Sequence, residues 1–230
     1  MILQTKKKKK KKKKGKRMFD VVDLDVDCEE ICEKVFRNQD KWIDRDIFYT
    51  FGASSYIDDN NEYKGNLEKS NSVLYNCFSD LYKKLEIHFG ATLNKEIAYP
   101  GFHIFDERCH NIDGSIHFDS SYLRLPIYKK SFSNPQSFTI LLKKPSTGAG
   151  LNVWDKIDLK RIPPSKREQY IKNIQKIGEP TYMEYELGKM YVHSGEVLHQ
   201  IANTGGLMGD SRVTLQGHVI QDGDKKYLFF

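Results

Sequence analysis

Cysteine is scarce, with Cys28, Cys32, Cys77 and Cys109 the only four in 230 residues. They are too few and too scattered for a disulfide framework in a chain this long. Cys28 and Cys32 are four apart, which is not a Cys-x-x-Cys pair; on a helix they share a face, the pattern of packing more than of redox chemistry. Long apolar runs are missing too, and nothing approaches the ~20 residues of a membrane-spanning helix. The N-terminus has no apolar segment followed by a small-residue cleavage site. A reduced intracellular setting, cytoplasmic or nuclear, is therefore expected. Acidic residues are absent from positions 1–17, which hold 11 cations, including an unbroken run from Lys6 to Lys14. Removing those 11 from the formal charge of +6 leaves the rest of the chain at −5. The basic character belongs to this arm and gives no ground for a nucleic-acid-binding fold.

Aromatic residues make up 12% of the chain, which excludes a largely disordered protein. Residues 1–17 read as a disordered poly-lysine arm, a low-complexity extension whose functional reading would be weak contact with nucleic acid or an anionic surface. A coherent sequence begins at Met18, which could be the true start. Residues 18–230 read as a single domain, with helix-rich support over 18–98 and a β core over 99–230. Ile31, Val35 and Phe36 predict a helix over Asp27–Arg37. Leu74, Cys77, Phe78, Leu81, Tyr82 and Leu85 form one apolar stripe and predict a helix from about Ser72 to Phe89, ended by Gly90. A further helix is expected from Pro163-Pro164-Ser165 to about Ile177.

From Tyr99 onward, short β-branched and aromatic segments alternate with Gly, Pro, Asn and Asp breaks. Strands are predicted at Gly101–Phe105, Ser115–Asp119, Ser137–Leu142, Leu151–Trp154, Thr181–Glu186, Met190–His193, Val197–Ala202, Arg212–Ile220 and Lys226–Phe229. Such a series indicates a sandwich or closed double sheet with flanking helices, an α+β chain that is mainly β.

The most informative string is Gly114-Ser115-Ile116-His117-Phe118-Asp119. On an extended strand, residues i and i+2 project to one side, so the His117 imidazole and the Asp119 carboxylate can converge. A borderline divalent metal takes that mixture of nitrogen and oxygen, but a lone His-x-Asp needs a second, distant histidine. His199 is the candidate, on the strand after the Ser194-Gly195-Glu196 reversal. Arg212 and Thr214 share a strand face further on, and a guanidinium beside a hydroxyl suits a carboxylate.

In this order the motifs resemble the Fe(II)/2-oxoglutarate-dependent dioxygenase superfamily over roughly Tyr99 to Gln221. The resemblance implies a double-stranded β-helix, the cupin-like jelly roll. His117, Asp119 and His199 would be the metal and catalytic residues. Arg212 would bind the distal carboxylate of 2-oxoglutarate, with Thr214 at the family's Arg-x-Ser position. The implied cofactors are Fe(II), 2-oxoglutarate as cosubstrate and O2. The implied reaction is oxidation of an unidentified substrate, a small molecule or side chain, with release of succinate and CO2. Related halogenases replace the carboxylate ligand by a small residue; Asp119 favours hydroxylation. Gly148-Ala149-Gly150-Leu151-Asn152 lacks the threonine of the Gly-Gly-x-Thr run in some prolyl-hydroxylase-like members. The alternative is a non-catalytic cupin-type module that binds a metal or ligand.

The other polar residues have plainer readings. His193 is expected to be structural, beside the Ser194-Gly195 turn. His103, His110 and His218 are read as core or surface histidines, and His88 as sitting favourably near a helix C-terminus. Arg124 could hold a substrate carboxylate but is read as a loop arginine in solvent. Trp154 is read as core or pocket wall, and Asp25 and Asp27 as part of a solvated face.

Overall fold

The computed structural model describes residues 18–109, 112–155, 157, 162, 166, 169, 171–173, 178–203 and 208–230. The poly-lysine arm, His110 and most of the helix expected over 163–177 lie outside them. The helix α1 (Cys28–Arg37) begins where the Asp27 carboxylate accepts the Glu30 amide at 2.9 Å, satisfying one of the free N–H groups of a helix start. Asp27 is thus exposed, as expected, and also a cap. Ile31 and Val35 form the buried face of α1. Cys28 and Cys32 lie on that side, directed at the carbonyls of Leu141 and Leu142 and packed on the core. All four cysteines are free.

The second helix, α2 (Asn60–Phe89), starts well before Ser72. Asp59 and Glu62 form a reciprocal capping box, and Gly90 closes the helix at φ 57°, a left-handed conformation that costs glycine little. The first half of α2 is held by polar contacts that no apolar stripe reveals. Tyr63 Oη accepts the Ala98 amide at 2.8 Å, and Asn71 donates to the Ile97 carbonyl at 2.9 Å while accepting the Tyr99 amide at 3.1 Å. The second half buries Leu74, Phe78, Leu81, Tyr82 and Leu85 of the predicted stripe, leaves Cys77 half-buried, and adds Phe89.

The strands are β1 (Phe19–Asp23), β2 (Ile43–Asp44), β3 (Tyr49–Phe51), β4 (Thr92–Leu93), β5 (Gly101–Phe105) and β6 (Ser133–Lys143). They continue with β7 (Gly150–Val153), β8 (Thr181–Glu184), β9 (Lys189–Ser194), β10 (His199–Ile201), β11 (Arg212–Asp222) and β12 (Lys225–Phe229). Nine of them form a major sheet along the path β1-β9-β6-β11-β5-β3-β2, to which β12 is added beside β11 and β4 beside β12. The other three form a minor sheet, β10-β7-β8. The fold is the expected double-stranded β-helix with flanking helices. Residues 18–98 carry α1 and α2 and also add β1, β2, β3 and β4 to the major sheet. One correction concerns the predicted strands: Ser115–Asp119 is not a regular strand, and it meets β10 through a single bridge at His117.

The major sheet separates two environments. Phe102 and Ile104 of β5, Phe138, Ile140 and Leu142 of β6, and Val213, Leu215 and Val219 of β11 join the helices in the largest core. The alternate residues, His103, Ser137, Thr139, Arg212, Thr214 and His218, take the opposite face, toward the minor sheet. Leu141, Leu151, Val153, Tyr185 and Tyr191 form a second core.

The minor sheet depends on close approach at Gly150. A Cβ there would fall 2.2 Å from the Met183 carbonyl oxygen and 2.8 Å from the Tyr182 ring. Gly150→Ala is expected to lower unfolding stability by about 1–3 kcal/mol, as overpacked substitutions do, read as a shift in the urea midpoint at unchanged slope.

Candidate metal centre

The segment from Gly114 to Asp119 runs antiparallel to β10. His117 and His199 exchange both backbone hydrogen bonds at 2.9 Å. The Gly114 amide donates to the Ile201 carbonyl at 3.1 Å, and the Asp119 amide to the Gly195 carbonyl at 2.9 Å. This ladder keeps the segment extended without making it a full strand, so His117 and Asp119 project to one side as the i, i+2 spacing predicts. β10 is anchored on its other edge by β7.

The side chains meet there. Nε2 of His117 lies 3.6 Å from Asp119 Oδ1, and Nε2 of His199 lies 3.8 Å from the same oxygen. The three donor atoms fall within 4.8 Å of one another. His117 Nδ1 is 2.8 Å from the Ser115 carbonyl oxygen, and His199 Nδ1 is 2.9 Å from that of Val197. A carbonyl only accepts, so each Nδ1 carries the proton and each Nε2 presents a lone pair to the centre. The separations exceed those of hydrogen bonds. Two lone-pair nitrogens and a carboxylate oxygen so placed can share a divalent ion.

The protonation states agree. Burial pushes the His199 imidazole down to about 3, against the pull of Asp119. Burial would raise the Asp119 carboxyl, but the facing imidazoles, His199 foremost, hold it well below the usual carboxylate range. His117 stands nearer the opening, its side chain 41% exposed.

Beside the three donors lies a cavity of about 670 Å³, whose wall includes Tyr56, His103, Phe105, Arg124, Tyr185 and His218. Arg212 and Thr214 sit on the inner face of β11 and are not among the residues that line the cavity. Arg212 is 1% exposed; its guanidinium carbon is 5.5 Å from the Phe105 ring centre and 5.7 Å from that of Tyr185. Its Nε and Nη1 and the Thr214 hydroxyl are buried without a hydrogen-bond partner among the described residues. Burial lowers the Arg212 pKa. A buried guanidinium with idle donors calls for an anion, and a carboxylate fits it.

Three histidines belong to this site that the sequence did not assign to it. His193 lies on β9, within the strand expected over Met190–His193, is 5% exposed and has Nε2 3.9 Å from Asp119 Oδ2. His103, 3% exposed, has Nε2 2.8 Å from Tyr56 Oη. His218 Nδ1 is 3.0 Å from Ser137 Oγ. The available signal was alternation: His193 shares the Tyr191 side of β9, and His103 the Phe105 side of β5. Arg124 is exposed, as expected, but also forms part of the cavity wall, with Nη1 donating to the Tyr56 carbonyl at 3.2 Å. His88 is exposed near the end of α2. Trp154 is core, donating to the Gly178 carbonyl at 2.9 Å.

Solved structures share this architecture. An N-substituted L-amino acid dioxygenase from Burkholderia ambifaria AMMD is 13% identical, with TM-score 0.51 over 77% of this chain and 76% of that one. The structure described as that dioxygenase in complex with alpha-KG, also 13% identical, gives a TM-score of 0.54 over 91% and 85%. The likeness is one of fold. No protein-family model and no curated protein matches the chain.

The buried imidazoles set an acid limit on stability. Burial holds His103 at about 3, against an ordinary 6.5. Between those values the unfolded chain binds a proton at residue 103 that the folded chain does not, so stability falls as pH falls. Denaturant titrations of the metal-free protein from pH 6.5 to 4 are expected to show this loss. His103→Gln should reduce its slope by up to ~1.4 kcal/mol per pH unit, one proton's worth.

Proposed function

We propose that this protein is a non-haem Fe(II)- and 2-oxoglutarate-dependent dioxygenase that hydroxylates or otherwise oxidises a substrate held in the cavity. The observation that carries the reading is the convergence of His117, Asp119 and His199 within 4.8 Å, with the unpartnered donors of Arg212 on the adjoining sheet face. The first group fits Fe(II), because two imidazoles and a carboxylate are the donor set of such centres. The second fits the cosubstrate, because a buried arginine with idle N–H groups matches a dicarboxylate. The fold shared with the dioxygenase from Burkholderia ambifaria AMMD supports the same class. Residues 18–230 form the proposed oxygenase domain.

Fe(II) with 2-oxoglutarate supplies O2-dependent oxidation, releasing succinate and CO2. This chain supplies the rest. His117 and His199 offer Nε2 with no proton to lose, since each Nδ1 proton is fixed to a backbone carbonyl. Asp119 is held ionised and completes the set. Its presence supports hydroxylation over halogenation, which needs that position free. Arg212 and Thr214 orient the cosubstrate carboxylate by charge-assisted and neutral hydrogen bonds. Phe105, Leu151 and Tyr185 give the cavity apolar wall that limits water.

The test is succinate formation by the full chain given Fe(II), 2-oxoglutarate and O2, with a metabolite screen for compounds that accelerate it. Asp119→Ala should abolish turnover and weaken metal uptake. Arg212→Gln should raise the 2-oxoglutarate requirement roughly ten- to a hundredfold, the loss expected for a charge-assisted pair. Metal uptake without decarboxylation, whatever substrate is offered, would assign the protein to the non-catalytic binding class instead.

A further inference from the structure

His193 lies outside the set of three donors yet points at it. Its ring centre is 5.0 Å from that of Phe19 and 5.0 Å from that of His199. Its Nδ1 is 2.8 Å from the Ser194 carbonyl oxygen, the same arrangement that fixes His117 and His199. The ring therefore presents an Nε2 lone pair, and that lone pair faces Asp119 Oδ2 at 3.9 Å. The two oxygens of Asp119 are thus divided: Oδ1 faces His117 and His199, and Oδ2 faces His193. Two acceptors facing each other beyond hydrogen-bond distance repel unless a group with two donors stands between them. A water molecule beside the line joining them, at an ordinary hydrogen-bond distance from each, has the two O–H bonds to satisfy both.

We infer that His193 is a positioning residue of the metal centre: its Nε2 accepts a hydrogen bond from a water ligand whose other O–H goes to Asp119 Oδ2. The inference rests on the Fe(II) reading above and adds to it. The three donors would hold the metal, and His193 and Oδ2 would together orient its water. His193 is a side chain that acts on the metal through the water and does not touch the metal.

Mn(II) uptake by the full chain, without cosubstrate, tests this. Affinity is measured by paramagnetic resonance titration, and exchange of the bound water by water-proton relaxation. His193→Phe keeps an aromatic ring against Phe19 and removes the acceptor; His193→Gln keeps an acceptor oxygen. His193→Leu, also without an acceptor, carries the same test if phenylalanine is not accommodated, with circular dichroism reporting the fold. Removing the acceptor should leave Mn(II) affinity within about threefold and speed water exchange about tenfold, the loss of one hydrogen bond, with His193→Gln in between. An affinity loss as large as that of His199→Ala would make His193 a direct ligand and overturn the inference. Unchanged exchange in every variant would make it a wall residue and overturn it equally. If the unaltered protein takes up no Mn(II), the metal-centre reading itself fails and takes this inference with it.

Discussion

The pair of backbone hydrogen bonds between His117 and His199 is the constraint on which the site depends. It joins an irregular segment to the minor sheet and sets which side chains of that segment face inward. Side chains on extended backbone alternate, so a slip of one residue would turn His117 and Asp119 away and bring Ile116 and Phe118 in. The bonds at Gly114–Ile201 and Asp119–Gly195 prevent the slip from either end, and the β7–β10 pairing fixes the far edge. Gly150 serves the same geometry at a distance, because only a residue without a side chain lets β7 approach β8 so closely.

The major sheet assigns stability and chemistry to its two faces. Toward the helices it presents Phe102, Ile104, Phe138, Ile140, Val213 and Leu215, whose burial holds the domain together. Toward the minor sheet the same strands present His103, Thr139, Arg212, Thr214 and His218, groups that cost free energy to bury. Several of those atoms have no hydrogen-bond partner among the described residues. An interior with idle donors is poised for a polar occupant, and the core on the opposite face offsets the cost. The four histidines buried among the described residues, 103, 193, 199 and 218, all have depressed pKa values, so they stay neutral and their nitrogens remain available as donors and acceptors.

Legibility followed the physical origin of each element. The predicted limits of β5 hold, and those of β11 and β12 are close, because each alternates or packs apolar residues between clear breaks. The second half of α2 was visible in its apolar stripe. Its first half was not, because Tyr63 and Asn71 dock it by hydrogen bonds to residues 97–99, partners that lie outside any local window. Strands β1 and β3 are short, five and three residues; β1 exists by pairing with β9, and β3 by pairing with β5. His193 was placed on a strand but read as structural, because nothing local shows that the strand carries its imidazole toward Asp119.

Alternation and order along the chain were enough to nominate His117, Asp119, His199, Arg212 and Thr214, because a period of two is a property of extended backbone and needs no partner. The elements that carry them were likewise marked by local composition. Which residues meet was decided by the tertiary structure. The division of the Asp119 oxygens between His193 and the other two histidines, the idle donors of Arg212 and the contact of Tyr56 with His103 all arise between segments far apart in sequence. Such contacts are set by the register and spacing of the sheets, which long-range pairing fixes and no local stretch of sequence encodes.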